Sequence, residues 1–152
     1  KDMMNKITNN SYRLPKLPIP IGIYQPFRKV NNQIYVSGQL PISNGKIVAD
    51  IKETNDFIVS AEKQLELATL NLIAQAASAV NSDIKKIKSC IRLNIYIVAP
   101  TNYTDHSSLA NTSSKILNDF FPETHGHART TIGVQSLPMG SLIEVDGIFE
   151  II

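Results

Sequence analysis

Two charged residues in the last quarter of the chain carry the strongest chemical signal. Arg129 stands in Gly126-His127-Ala128-Arg129-Thr130-Thr131, and arginine is scarce: four (Arg13, Arg28, Arg92, Arg129) against eleven lysines. A guanidinium in a sheltered pocket is a natural receptor for a planar carboxylate, because it donates two parallel hydrogen bonds and keeps its charge. The alternative is a structural arginine paired with a neighbouring acid. Glu144 follows in Leu142-Ile143-Glu144-Val145-Asp146. A carboxylate half-buried among apolar neighbours can hold a raised pKa and orient or deprotonate a water, whereas a solvated strand acid does neither.

Other reactive residues are less promising. His125 and His127 form an H-x-H pair that a strand would set on one face, but no cysteine or third histidine lies nearby to complete a zinc site. No metal is expected. Cys90 has no partner in sequence and reads as a small buried hydrophobe rather than a nucleophile. Ser37-Gly38-Gln39 lacks the G-x-S-x-G frame of a serine hydrolase, and no glycine-rich phosphate loop is present.

These residues need a scaffold. With 152 residues, 43% hydrophobic and 18% charged, the chain suits one core and is too apolar for disorder. No run of about 18 apolar residues offers a membrane span. A net charge of +2 without a basic block gives no reason to expect a nucleic-acid partner. A single cysteine forbids an internal disulfide, and residues 1–10 lack an apolar signal region, so a cytoplasmic location is the expectation. One domain over 1–152 is expected, with residues 1–16 an extended or poorly ordered leading segment.

Pro15, Pro18, Pro20 and Pro26 predict an extended approach to the domain. Residues 27–30 and 33–40 read as strands joined by a tight turn at Asn31-Asn32. Ser43-Asn44-Gly45 signals another turn, with a short strand at 46–48. From about 56 to 80, Ala61, Leu65, Ala68, Leu72, Ala76 and Val80 draw a helical stripe, capped by Thr54 or Asn55. Residues 87–99 alternate strictly and predict a strand. A second helix between 103 and 121 (Leu109, Ile116, Leu117, Phe120) stops before Pro122. Residues 127–136 and 142–152 are expected to close the fold as a hairpin across Leu137-Pro138-Met139-Gly140-Ser141.

The predicted order is β-β-(β)-α-β-α-β-β, an α+β fold with two helices on one face of a mixed sheet. Ile34, Val36, the odd positions of 87–99, Ala128, Ile132, Val134, Ile143, Val145 and Phe149 would face the helices. Alternation then sends Tyr35, Ser37, Gln39, Cys90, Arg92, Asn94, Tyr96, His127, Arg129, Thr131, Leu142, Glu144, Asp146 and Ile148 to the other side. That face is too apolar for water and too polar for a core, which suits a subunit interface holding polar sites and predicts a homo-oligomer.

The runs Pro20-Ile21-Gly22-Ile23-Tyr24, Tyr35-Val36-Ser37-Gly38-Gln39, Ala61-Glu62-Lys63-Gln64, His127-Ala128-Arg129, Leu137-Pro138 and Ile143-Glu144-Val145-Asp146 occur in this order. In them the chain resembles the Rid family, also called YjgF or L-PSP endoribonuclease-like, from about residue 17 to its end. The Gly-His-Ala-Arg variant and the stretch 100–118 resemble its endoribonuclease-labelled subgroup with a chorismate-mutase-like fold. The resemblance implies a trimer with sites at subunit interfaces and hydrolysis of enamine/imine intermediates such as 2-aminoacrylate to 2-keto acid and ammonia, without a cofactor. It implies that Arg129 binds the substrate carboxylate, that Glu144 positions the attacking water, and that Tyr24 and Ser37, with Gly38, line the pocket. Two positions depart: the family's cysteine two residues after the arginine is Thr131, and its helix asparagine aligns to Ser114 without gaps, or to Asn111 if the loop is longer. Small-acid binding therefore follows more directly than turnover.

A closing hairpin turning near Met139 would pair Arg129 with a residue near Ile148 or Phe149 and leave Glu144 roughly 14 Å away along the strand. The expectation is that Glu144 of one subunit completes the site around Arg129 of the next. A non-enzymatic module binding small carboxylates is the rival from another class. An endoribonuclease is disfavoured by the near-neutral charge and by the lack of basic and aromatic clustering.

Overall fold

The computed structural model describes residues 8–9, 12–122 and 126–152. Thr8–Asn9 (β1) pairs with Tyr12–Arg13 (β2), and Leu14 is buried in the core. Residues 1–7, 10 and 11 of the leading segment, and His125 of the H-x-H pair, lie outside the described residues.

Phe27–Val30 (β3) and Gln33–Gln39 (β4) form the expected hairpin, with Asn31 taking the positive φ of +53° that the turn demands. Ile42–Ser43 (β5) and Lys46–Ile47 (β6) flank Asn44 and Gly45, both at positive φ. A single-turn helix, Ile51–Thr54 (α1), leads to Phe57–Ser78 (α2). Asp56 caps α2 by accepting from the Val59 N–H at 3.1 Å. Thr54 and Asn55 were the expected caps; they end α1 instead, Asn55 in the left-handed conformation. The stripe Ala61, Leu65, Ala68, Leu72 and Ala76 is wholly buried.

Ile87–Ile97 (β7), His106–Phe120 (α3), Ala128–Gly133 (β8) and Ile143–Ile151 (β9) complete the chain. The five-stranded mixed sheet runs β3-β4-β9-β7-β8, with only β7 and β8 parallel. Helices α2 and α3 lie together on one face. Ile34, Val36, Leu93, Ile95, Ile97, Ile143, Val145 and Phe149 point toward them and are at most 5% exposed. Among the described residues no helix is long and apolar enough to cross a membrane.

Three features differ from the sequence expectation. Strand β8 makes no hairpin with β9; it returns through α3 to lie parallel to β7, and the chain then crosses to β9 by a short turn at Pro138–Gly140. The parallel register sets Arg129 level with Leu93 and Thr131 level with Ile95, so Arg129 and Thr131 lie on the helix side. Thr130 points outward and accepts from Arg92 Nη2 at 2.6 Å, while Ile132, expected inward, is 45% exposed. Second, the β7–β9 register shifts between Cys90 and Arg92, which pairs Cys90 with the core residue Phe149. Cys90 is therefore buried rather than outward, and burial pushes its thiol up to about 12, an inert group at neutral pH. Third, a shift between Val36 and Gln39 pairs Gln39 with the core residue Val145; Gln39 is buried, as is Leu142, also expected outward.

Candidate functional site

The site residues fall into two groups on opposite faces of the sheet. The first forms around Glu144, on the outward face of β9. Its half-buried carboxylate lies against Gly38 so closely that a Cβ at position 38 would collide with Oε1. Glycine is required here by that approach. Among the described residues no hydrogen-bond donor reaches the Glu144 carboxylate. Burial raises its proton affinity above the usual carboxylate range, and the neighbouring charge of Asp146 raises it further.

A cleft of about 570 Å³ opens at this carboxylate, walled by Tyr24, Ser37, Gly38, the proline-rich segment at 18–22 and Pro138. Its walls are tied down from two sides. Ser37 donates its hydroxyl to the Gln25 carbonyl at 2.6 Å and its N–H to the Pro26 carbonyl at 2.9 Å, which docks the segment carrying Tyr24 onto β4. From α2, Gln75 donates to the Pro18 carbonyl (3.3 Å), Asn71 to the Leu40 carbonyl (3.0 Å), and Gln64 accepts from the Leu142 N–H (2.9 Å). These buried amides explain why α2 is polar where a core helix need not be: each satisfies a loop backbone group that the sheet leaves unpaired.

The second group surrounds Arg129 on the helix side of the edge strand β8. Arg129 Nη1 donates to Asn111 Oδ1 (2.9 Å) and Ser114 Oγ (3.0 Å), and Nη2 to the Ser107 carbonyl (3.1 Å) and Ser107 Oγ (3.0 Å). Asn111 and Ser114, alternatives for one role in the sequence, thus both hold the guanidinium. Ser107 was not singled out, yet residues 107, 111 and 114 have the spacing of one helix face, a signal present in the sequence. His127 Nε2 lies 2.9 Å from Ser114 Oγ. Burial and the nearby Arg129 charge lower the His127 pKa, and the ring joins the polar staple between α3 and the start of β8.

A lateral cavity of about 470 Å³ is lined by Thr104, His106, Ser107, Arg129, Thr131 and Gly133. Thr131 Oγ1 is buried with no hydrogen-bond partner among the described residues, a hydroxyl that a ligand in this cavity would satisfy. His106, also unsuspected from sequence, has its ring over Gly133 and against Tyr103.

Within one chain the two groups do not meet. Arg129 is level with Leu93 and Glu144 with Tyr96, three residues along and two strands apart, about 14 Å by strand geometry. The separation expected from a hairpin is recovered, though for a different reason, since β7 lies between the two strands.

With this geometry described, the chain's relationships are informative. A family model described as "YjgF/chorismate_mutase-like, putative endoribonuclease" matches residues 5–151. The chain therefore belongs to this family, the Rid/YjgF proteins. Protein TCP17 of Trypanosoma cruzi is 28% identical over 91% of this chain and 88% of its own length. A protein of Dermatophagoides farinae named 2-iminobutanoate/2-iminopropanoate deaminase is 26% identical over 90% and 92%. The crystal structure of Atu1372 from Agrobacterium tumefaciens, 34% identical, superposes with a TM-score of 0.78 over 88% of this chain and 86% of that one.

Proposed function

We propose that this protein hydrolyses small enamine/imine intermediates of the 2-aminoacrylate type to 2-keto acid and ammonia, at sites shared between copies of a homotrimer and without a cofactor. The observation that carries this reading is Glu144: a half-buried carboxylate without a donor among the described residues, in a cleft bounded by Tyr24, Ser37 and Gly38. Such a group is suited to hold and deprotonate a water. The name of the Dermatophagoides relative supports the reaction class.

In the mechanism Arg129 of a neighbouring copy anchors the substrate carboxylate by its fixed charge, with Nη2 exchanging its bonds to Ser107 for the carboxylate oxygens. Thr131 lies beside it with a free hydroxyl. Glu144 takes a proton from water as the oxygen attacks the imine carbon; the C=N π electrons move to nitrogen, which receives that proton back from Glu144. The resulting carbinolamine passes its hydroxyl proton to the nitrogen and loses ammonia as the C–N bond breaks and the C=O forms. Arg129 sits on an edge strand, so its cavity opens where a second copy can supply Glu144.

The test is continuous release of 2-keto acid and ammonia when the protein is added to a dehydratase generating 2-aminoacrylate or 2-aminocrotonate. Wild type is expected to accelerate release, and Glu144→Gln to lose at least about 100-fold of that acceleration. No acceleration by wild type, with 2-keto acids still bound, would instead make this a carboxylate-binding module.

A further inference from the structure

The outward faces of β7 and β9 carry a hydrogen-bonded group beside Glu144. Tyr96 is directly opposite Glu144 in the antiparallel register, and Asn94 is opposite Asp146. Cross-strand partners of this kind are the nearest donors a strand carboxylate can find. Yet the Tyr96 hydroxyl passes over its opposite residue and donates diagonally to Asp146 Oδ2 at 2.9 Å, while Asn94 Nδ2 donates to Asp146 Oδ1 at 2.7 Å. Both oxygens of Asp146 are thereby satisfied, and its carboxylate is fixed two residues from Glu144 on the same face. Glu144 is left without a donor among the described residues.

We propose that Asp146 is a positioning residue for Glu144: by drawing the Tyr96 hydroxyl to itself and holding a second negative charge alongside, it keeps Glu144 an unpaired base for water. This rests on Glu144 being the base of the proposed hydrolysis. Beyond burial, a like charge at the adjacent same-face position, about 6.6 Å away at strand rise, disfavours ionisation of Glu144. The other groups facing Glu144 do not offset that effect. From β4 these are Ser37 and Gly38, from the leading segment Tyr24, and from the turn Pro138, all uncharged. From β7 they are Tyr96 and, further along, Arg92, which is turned away to Thr130 at 2.6 Å. In the proposed trimer, Arg129 of a neighbouring copy reaches the substrate rather than Glu144.

The sign of the pH effect follows. A base with a raised pKa becomes active only above that pKa, so neutralising Asp146 must move the acid limb of the rate profile to lower pH. The experiment is a carbon-13 titration of glutamate side-chain carboxyls in the full chain, with Glu144→Gln to identify the signal, together with the pH dependence of kcat/KM. Asp146→Asn is expected to lower the Glu144 midpoint and to carry the acid limb with it. Asp146→Glu, which keeps the charge, is expected to retain the raised midpoint. In Asp146→Asn combined with Tyr96→Phe there is no phenol to turn toward Glu144, and the shift that persists is the part due to charge.

An unmoved midpoint in a folded Asp146→Asn protein, or a rate profile merely scaled down at every pH, would overturn the inference and reduce Asp146 to a structural role. A midpoint that moves in a protein that hydrolyses no imine would sustain the Asp146 coupling and remove the deaminase reading instead.

Discussion

Arg129→Ala is expected to lose at least about 100-fold in kcat/KM for imine hydrolysis while the core of the sheet remains folded. In the proposed reaction the guanidinium is the carboxylate anchor, and losing a charge-assisted contact removes orientation as well as affinity. It also staples β8 to α3 through Ser107, Asn111 and Ser114. That second role is exposed to solvent in part, so its removal should cost about 1–2 kcal/mol, read as a lower urea midpoint. The buried rows on β7 and β9 do not depend on it. Arg129→Lys separates the two roles: one ammonium keeps the charge but cannot reproduce a fork that bonds three helix residues. Its rate should fall between those of wild type and Arg129→Ala. Full activity in either variant would remove Arg129 from the site.

Gly38→Ala is expected to be the most informative single methyl. The added carbon would occupy the space of the Glu144 carboxylate, which then has to swing off β4 and out of its position in the cleft. A displacement on the order of 1 Å at a catalytic group can lower kcat about 100-fold. In the proposed reaction substrate affinity depends on Arg129, on another strand and another face, so KM should change little. The fold should survive because the collision is with the mobile end of a half-buried side chain and not with backbone. A Gly38→Ala protein with unaltered kcat would mean that the observed placement of Glu144 is irrelevant to turnover.

What could be read from sequence was what local periodicity determines. The α2 stripe and the alternation of β7 identified the helix-facing core, because burial on one side imposes a period whatever the partner. Asn31 and Asn44 marked turns because few residues accept positive φ. Family motifs pointed to Arg129, Glu144, Tyr24 and Ser37. Periodicity of two, however, says which residues share a face and not which face it is. On β8 and the residue before it, the polar set His127, Arg129 and Thr131 faces α3, because α3 offers Ser107, Asn111 and Ser114 there, and the apolar Ile132 is left outside. An edge strand with one polar helix neighbour inverts the usual inference that polar means outward. The displaced register at Cys90 and at Gln39 had no signal either, since a bulge is a property of two paired strands. The contact between Gly38 and Glu144 depends on such a register shift and was likewise beyond reach.

The proposed shared site, with Arg129 from one chain and Glu144 from another, is what the mechanism depends on. It is tested most directly by co-expressing Arg129→Ala and Glu144→Gln chains and assaying the mixed assemblies. Each variant alone should be inactive. In a randomly mixed cyclic oligomer from equal amounts, roughly a quarter of the sites receive an intact arginine from one chain and an intact glutamate from its neighbour. The account predicts recovery of about that fraction of wild-type imine hydrolysis. Mixed assemblies, shown to contain both chains, that stay as inactive as the separate variants would contradict it.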